Sequence, residues 1–399
     1  MTKLRLAVIG THPVQYTVPV LRAMAQREDL SLRTFYTWSQ TAQGRFHDPG
    51  FGRQVGWDIP LLGGYEHEFV ENVAREPGSH RFNGIRTPAL TSRVLAWSPD
   101  AVLVIGWNNH AHLQAMRHFK GKLPVFFRGD STLLDIQSSL KSLVRRQVLR
   151  WVYSHVDVAI SVGQASRDYF EWCGIPAGRV AFAPHCIDNR RFADTDGSAQ
   201  RQADAWRSEL RILPDHKVVV FAGKLIAKKD PLLLLQAFLA TGAQAHLVFI
   251  GNGELENDLK RLAGKHRNIH FMPFQNQSLM PAVYRLGDVF ALPSCGPGET
   301  WGLALNEAMA SGRPVIASDK AGATQDVVKH GYNGWCFSAQ NLDGLAQVLR
   351  TAFCTSSAAL RQLGENAQRL INDWSVEASA DRMAETIVDY CVDSRQVAR

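Results

Sequence analysis

Short runs of consecutive apolar residues, most closed by glycine or serine, alternate along the chain with longer stretches in which apolar side chains return every three or four positions. The first half holds RLAVIG (5–10), the amphipathic VPVLRAMAQ, AVLVIG (101–106), PVFFRG (124–129) and VDVAIS (156–161). After a polar interval the alternation restarts with KVVVFAG (217–223), AHLVFIG (245–251), NIHFMPF (268–274), DVFALPS (288–294) and RPVIAS (313–318). Strands that are apolar on both faces and separated by helices predict parallel sheets covered on both sides. Two such series predict two doubly wound α/β domains. The basic, turn-rich stretch between 188 and 216 separates them and predicts a helix over 203–211. We therefore place domains at 1–195 and 196–375, followed by a closing segment at 376–399.

Composition narrows the class. The 399 residues are 45% hydrophobic, enough for more than one core. No run of about twenty apolar residues is present to span a bilayer. The opening MTKLRLAVIGTHPVQY passes from one apolar run straight into polar residues, as a first strand does and a secretory signal does not. Six scattered cysteines form no C-x-x-C pair, which fits a reducing compartment and predicts a cytoplasmic protein. The net charge of +7 suits an anionic partner: a sugar nucleotide, a phosphate, an anionic lipid or a nucleic acid. A solvated basic surface explains it equally well. Nucleic acid is disfavoured, because the basic residues do not interleave with aromatics along one element. Asp194 and Asp196 form a D-x-D, a spacing that metal sites use but that alone builds no enclosed site.

Three strand-to-helix junctions in the second half carry candidate chemistry. In FAGKLIAKKDPLLLLQAF, Lys224 and Lys229 flank a loop that ends at Asp230-Pro231, a predicted N-cap and first helical position. Two ammonium groups beside a helix start make either a diphosphate clamp or ordinary surface lysines. In FIGNGELENDLK, Gly251 and Gly253 form a turn that lacks the dinucleotide fingerprint, which weakens a nicotinamide-enzyme reading. In PGETWGLALNEAMASGRPVIAS, a glycine-flanked loop presents Glu299, a helix follows with Glu307 two turns along, and Gly312 ends it. Carboxylates there would repel phosphate but suit hydroxyl groups. The alternative is that they compensate the helix dipole on a solvated face.

Together these junctions resemble the retaining glycosyltransferases of family four (glycosyl transferases group 1), which have the GT-B fold. That family carries E-x7-E within E-x-F-G-L-x-x-x-E-A-M-A-x-G-x-P-V-I-A, and ETWGLALNEAMASGRPVIAS is similar at nearly every defined position, with Trp301 as the aromatic. PHCIDNRRF, AGKLIAKKDP and DVFALPS resemble further family segments, and NDWSVEASA resembles the closing segment that crosses back onto the first domain. The resemblance implies two Rossmann-like domains facing across a cleft. It also implies transfer of a sugar from a nucleotide diphosphate sugar, as co-substrate and without cofactor or metal, to a glycan or lipid-linked acceptor in cell-surface polysaccharide synthesis. By it, Glu307 binds the donor ribose, and Glu299 contacts the transferred sugar. Lys224 and Lys229 hold the diphosphate, and the backbone around Thr300, Trp301, Gly302 and Leu303 completes the donor site. Two positions depart from the family: Lys224 stands where arginine is usual, and Arg128 in VFFRGDS stands where a histidine is common. Arg128 cannot act as a base at neutral pH; with Asp130 it either positions phosphate or a sugar hydroxyl, or forms a structural contact at a strand end. A sugar-nucleotide epimerase and a catalytically degenerate binding protein are the alternatives.

The first domain resembles the family only loosely. His12, Gln15 and Tyr16, after the first strand, are candidate acceptor contacts, with loop packing the other reading. GWNNHAHLQ places Trp107, Asn108, His110 and His112 at another strand's end, where ligands bind in such sheets. KSLVRRQVLRWVYSHVD predicts a basic helix, with Lys141, Arg145, Arg146 and Arg150 near Leu143, Val148 and Trp151. It either meets an anionic membrane surface or is a solvated face over a packed stripe.

Overall fold

A computed structural model describes residues 3–39, 46–48, 50–79, 81–136 and 139–397. The last two positions of the predicted closing segment, 398 and 399, lie outside the described residues. The chain divides into two compact units. The first comprises 1–46, 60–185 and 376–399; the second comprises 47–59 and 186–375.

The first unit is built on a seven-stranded sheet. Across it the strands run Glu66–Phe69, Leu30–Tyr36, Leu4–Gly10, Ala101–Ile105, Val125–Arg128, Val158–Ser161 and Val180–Phe182. All neighbours are parallel. The order reverses between Leu4–Gly10 and Ala101–Ile105, which opens the crevice where ligands bind in such sheets. Helix Val376–Val397 belongs to this unit: Arg27 on the N-terminal side reaches Asp381 at 2.6 Å, and Tyr390 packs its ring edge-on to Phe126 at 5.5 Å.

The second unit carries a six-stranded parallel sheet in the order Ile269–Met272, Ala245–Ile250, Lys217–Ala222, Val289–Leu292, Val315–Ser318, Gly334–Phe337. Its order reverses between Lys217–Ala222 and Val289–Leu292. Strand Lys217–Ala222 is buried from Val218 onward, as its unbroken apolar run predicts for a central parallel strand. Two short strands, Phe46–Asp48 and Arg53–Val55, pair in a separate small sheet.

The helix expected over 203–211 runs Ser198–Glu209. It starts early because the Asp194 carboxylate accepts the amides of Ala199 (2.8 Å) and Gln200 (3.0 Å), while Asp196 accepts the amide of Ser198 (3.0 Å). The D-x-D therefore caps a helix, and Arg285 Nε lies 3.4 Å from Asp194.

His112 fixes the crevice of the first unit. Its Nδ1 lies 2.7 Å from the Gly106 carbonyl and its Nε2 lies 3.1 Å from Thr37 Oγ1, so one buried imidazole joins the ends of the two strands that flank Leu4–Gly10. Burial disfavours the charged ring, and its pKa falls to about 4. The unfolded chain binds a proton near pH 6.5 that the folded chain refuses, so stability is lost as pH falls from 6.5 toward 4. By pH 5 this residue alone is expected to lower the unfolding free energy by about 2 kcal/mol. Urea titrations at pH 7 and pH 5 should show a smaller difference for His112→Asn than for wild type; equal differences would remove His112 from the account.

Candidate functional site

The second unit gathers its charged groups at the reversal point of its sheet. Strand Lys217–Ala222 ends in a loop, residues 223–226, that passes through a 3₁₀ turn at Ala227–Lys229. Asp230 then caps helix Pro231–Thr241, accepting the Leu233 amide at 3.2 Å, as the Asp-Pro pair predicts. Strand Val289–Leu292, next to it in the sheet, ends in the loop that carries Glu299.

These two loops are stitched together. The Cys295 amide donates to the Lys228 carbonyl (3.0 Å), and Lys228 Nζ donates to the Gly298 carbonyl (3.1 Å). Lys229 Nζ lies 2.6 Å from Glu299 Oε2, with both side chains largely buried. Ser294 Oγ donates to the same carboxylate oxygen at 3.3 Å. Gly251 lets the first loop settle. Its φ is +136°, and a Cβ there would stand 2.1 Å from the Gly223 carbonyl oxygen. Close backbone approach is what this glycine turn provides.

Helix Ala304–Ala310 begins directly after the Glu299 loop. Leu305 N–H bonds to the Gly302 carbonyl (2.9 Å) and Glu307 N–H to Leu303 (3.0 Å), so the amides of Gly302 and Leu303 precede the helical ladder. Gly302 has φ +95°, and a Cβ there would meet Leu292 Cδ2 at 2.8 Å. Trp301 is buried: its Nε1 donates to Asn306 Oδ1 at 2.9 Å, and its ring lies 5.1 Å from that of Trp374. It anchors the loop beside Thr300.

Neither glutamate lies on a solvated face; Glu299 is 7% exposed and Glu307 3%. Tyr284 donates its hydroxyl to Glu307 Oε2 at 2.5 Å, and Arg191 Nη2 stands 3.9 Å from Oε1. Arg191 also donates to Gln277 Oε1 at 2.9 Å. Each buried carboxylate thus keeps a cation beside it, the condition for burying a charge at tolerable cost.

Lys224 is held elsewhere. Its Nζ lies 2.8 Å from Asp48 Oδ1 and 5.0 Å from the centre of the Phe51 ring. The Asp48 carboxyl sits below the usual carboxylate range: burial opposes its charge, and the hydrogen bond and charge of Lys224 outweigh burial together with the amides of Phe51 and Gly50. Sequence reasoning missed Asp48 and Phe51, which lie far away in the chain with no motif around them. It also passed over Arg191, whose signal was already in PHCIDNRRF.

In the first unit, Arg128 ends strand Val125–Arg128 and donates from both terminal nitrogens, to the carbonyls of Ala183 and Pro184 at 3.1 Å each. Next to it is His185, the histidine of PHCID. Burial, then the Arg128 charge, lower its pKa to about 4, and Asp130 opposes them. Arg128, Asp130 and His185 therefore form one cluster around a neutral imidazole, a partner that sequence reasoning missed.

Among the acceptor-side candidates, His12 Nδ1 lies 3.0 Å from Thr11 Oγ1, and its ring meets Trp38 edge-on at 5.3 Å. Gln15 and Tyr16 occupy the turn before helix Val18–Ala25. Trp107 donates from Nε1 to the Tyr153 hydroxyl at 3.1 Å. His110 opens helix His110–Phe119, with its pKa lowered by burial and then by Arg86. The strands that precede His12 and His110 are neighbours, while His12 packs on Trp38 and the His110 ring meets Phe82 at 6.2 Å.

The family model described as "Glycosyl transferases group 1" matches residues 202–370, and that described as "Glycosyl transferase 4-like domain" matches 63–186. The chain is 27% identical over 256 residues to the GDP-mannose-dependent alpha-(1-6)-phosphatidylinositol monomannoside mannosyltransferase of Mycobacterium tuberculosis, covering 61% of this chain and 64% of that one. The chain thus spans less than two thirds of that relative's length. It is 28% identical over 312 residues to the phosphatidyl-myo-inositol mannosyltransferase of Mycobacterium leprae, covering 75% of this chain and 78% of that protein. The crystal structure of Anabaena Alr3699/HepE in complex with UDP superposes with a TM-score of 0.71 at 18% identity, over 97% of this chain and all of that one. That likeness shows the fold to be GT-B.

The Lys229–Glu299 pair makes a direct prediction. Lys229→Gln strands a buried carboxylate and is expected to destabilise the second unit by about 3 kcal/mol. Adding Glu299→Gln should recover much of that loss, because no buried charge is then left unpaired. Thermal melts of both single variants and the double variant check this; additive losses would show that the pair is not coupled.

Proposed function

The chain belongs to the glycosyl transferases group 1 family of GT-B fold, and on that premise we propose that it is a retaining, metal-independent glycosyltransferase. It moves a hexosyl or related sugar from a nucleotide diphosphate sugar to a glycan or lipid-linked acceptor of cell-surface polysaccharide synthesis, at the cytoplasmic face of a membrane. The observation that carries this reading is the pair of buried, cation-matched glutamates at the reversal point of the second sheet. Hydroxyl-rich ligands need acceptors fixed in place, and a departing diphosphate needs fixed positive charge.

In this mechanism Lys229 serves both ends of the donor. An ammonium has three N–H bonds, so it keeps Glu299 in place while donating to a phosphate oxygen. Glu299 accepts from hydroxyls of the transferred sugar, and Glu307 from the ribose. Lys224 adds a second positive charge once Asp48 yields to the diphosphate. The amides of Gly302 and Leu303 point donors at the phosphate from ahead of their helix. The bond from the anomeric carbon to the diphosphate oxygen breaks, and the acceptor hydroxyl oxygen forms its bond on the same face. The acceptor's proton passes to the leaving phosphate oxygen. Arg128 and Asp130, held around His185, serve the acceptor from the first unit, with His12, Gln15, Tyr16 and His110.

The test is nucleotide diphosphate release from UDP-, GDP- and ADP-sugars with EDTA present, for wild type and Glu299→Gln. Slow hydrolysis of one donor, reduced at least about 100-fold in the variant, is the expected outcome. Product NMR should then show the donor's anomeric configuration retained. Interconversion of the donor sugar without release would instead favour an epimerase, and tight donor binding without release, even with cell-envelope acceptors added, a binding protein.

A further inference from the structure

Helix Leu140–Tyr153 carries two apolar faces, and the unit's core covers only one of them. Its buried residues are Leu149, Val152 and Tyr153, all in the last turn and a half. On the opposite face Leu140 (81% exposed), Leu143, Val144 (67%), Val148 and Trp151 lie open to solvent. Their spacing of three and four makes a single stripe along the helix. Among the described residues, no other helix shows more than one exposed large apolar side chain.

The stripe is not a frayed end. Ser139 and Ser142 exchange hydrogen bonds in a capping box that fixes the first turn. Arg146 donates from Nε to the Trp172 carbonyl at 2.7 Å, which ties down the middle.

Charge decides what covers it. The helix carries Lys141, Arg145, Arg146 and Arg150 and no acidic residue. Arg117, from a neighbouring helix, adds a guanidinium 5.5 Å from the Trp151 ring. A second copy would set one cationic stripe against another. An anionic lipid surface instead takes the apolar side chains below its headgroups and the cations among them.

Position gives this surface a use. The helix follows strand Val125–Arg128 and returns along the sheet, so its first turn lies toward the sheet's C-terminal edge. At 14 residues the helix is about 21 Å long, against about 13 Å for the four-residue strand. Its unburied first turns therefore extend past the strand end that carries Arg128.

We propose that helix Leu140–Tyr153 lies in the surface of an anionic bilayer through the stripe Leu140, Leu143, Val144, Val148 and Trp151, flanked by Lys141, Arg145 and Arg150. This sets the ligand edge of the first sheet at headgroup level and rests on the lipid-linked acceptor reading above.

The test is flotation of the full chain with phosphatidylcholine vesicles, with and without phosphatidylglycerol. Wild type is expected to float only with the anionic vesicles and to be released by salt. Leu143→Ser/Val144→Ser and Lys141→Gln/Arg145→Gln should each lower the bound fraction at least tenfold, with donor hydrolysis in solution and the melting temperature unchanged. Failure of wild type to float, or equal flotation of the variants, overturns the proposal. So does a wild-type dimer that Leu143→Ser/Val144→Ser makes monomeric, because a second copy then covers the stripe. Stripe-dependent flotation without turnover of any donor would keep this inference and end the catalytic reading.

Discussion

The contact at 2.6 Å between Lys229 and Glu299 is where the two halves of the second sheet are brought into chemical register. The strands that feed these residues are neighbours, yet the chain leaves the first at 222 and reaches the second at 289. Two loops with no sequence proximity must therefore be joined by something other than the ladder. A buried carboxylate and ammonium do this because each is costly alone and affordable together. The Cys295–Lys228 backbone bond and the Lys228–Gly298 contact align the chains so that the ion pair forms. Gly251 removes the side chain that would otherwise push the first loop away.

The first unit solves the same problem with a neutral group. His112 joins strand ends through both ring nitrogens, and His185 sits uncharged beside Arg128. One edge is organised by paired charges and the other by imidazoles kept neutral.

Much of this was legible in the chain because apolar runs of both-face burial mark central parallel strands. Leu4–Gly10, Ala101–Ile105 and Lys217–Ala222 announce themselves in that way. Edge strands do not: Glu66–Phe69 begins EHEF, with water on its outer side, and Val180–Phe182 has only three residues. Glu299, Glu307, Lys229 and the Asp230 cap were readable because their spacing is local. Asp48 was not, since its partner Lys224 is 176 positions away and no periodicity connects them. The burial of both glutamates was likewise invisible: a helix-dipole role and a paired, solvent-excluded carboxylate look the same in a string of letters.

The division of the chain also bears on how the molecule comes into being. The first unit is assembled from three separated pieces, and helix Val376–Val397 supplies Asp381 to Arg27 and Tyr390 to Phe126. During synthesis the N-terminal strands leave the ribosome long before that helix exists. The second unit, complete by residue 375, is therefore the one able to finish first, even though most of it is made later. Until helix Val376–Val397 is made, the early sheet waits with the apolar surface of Val18–Ala25 and Phe126 uncovered, and a segment translated late seals one made early.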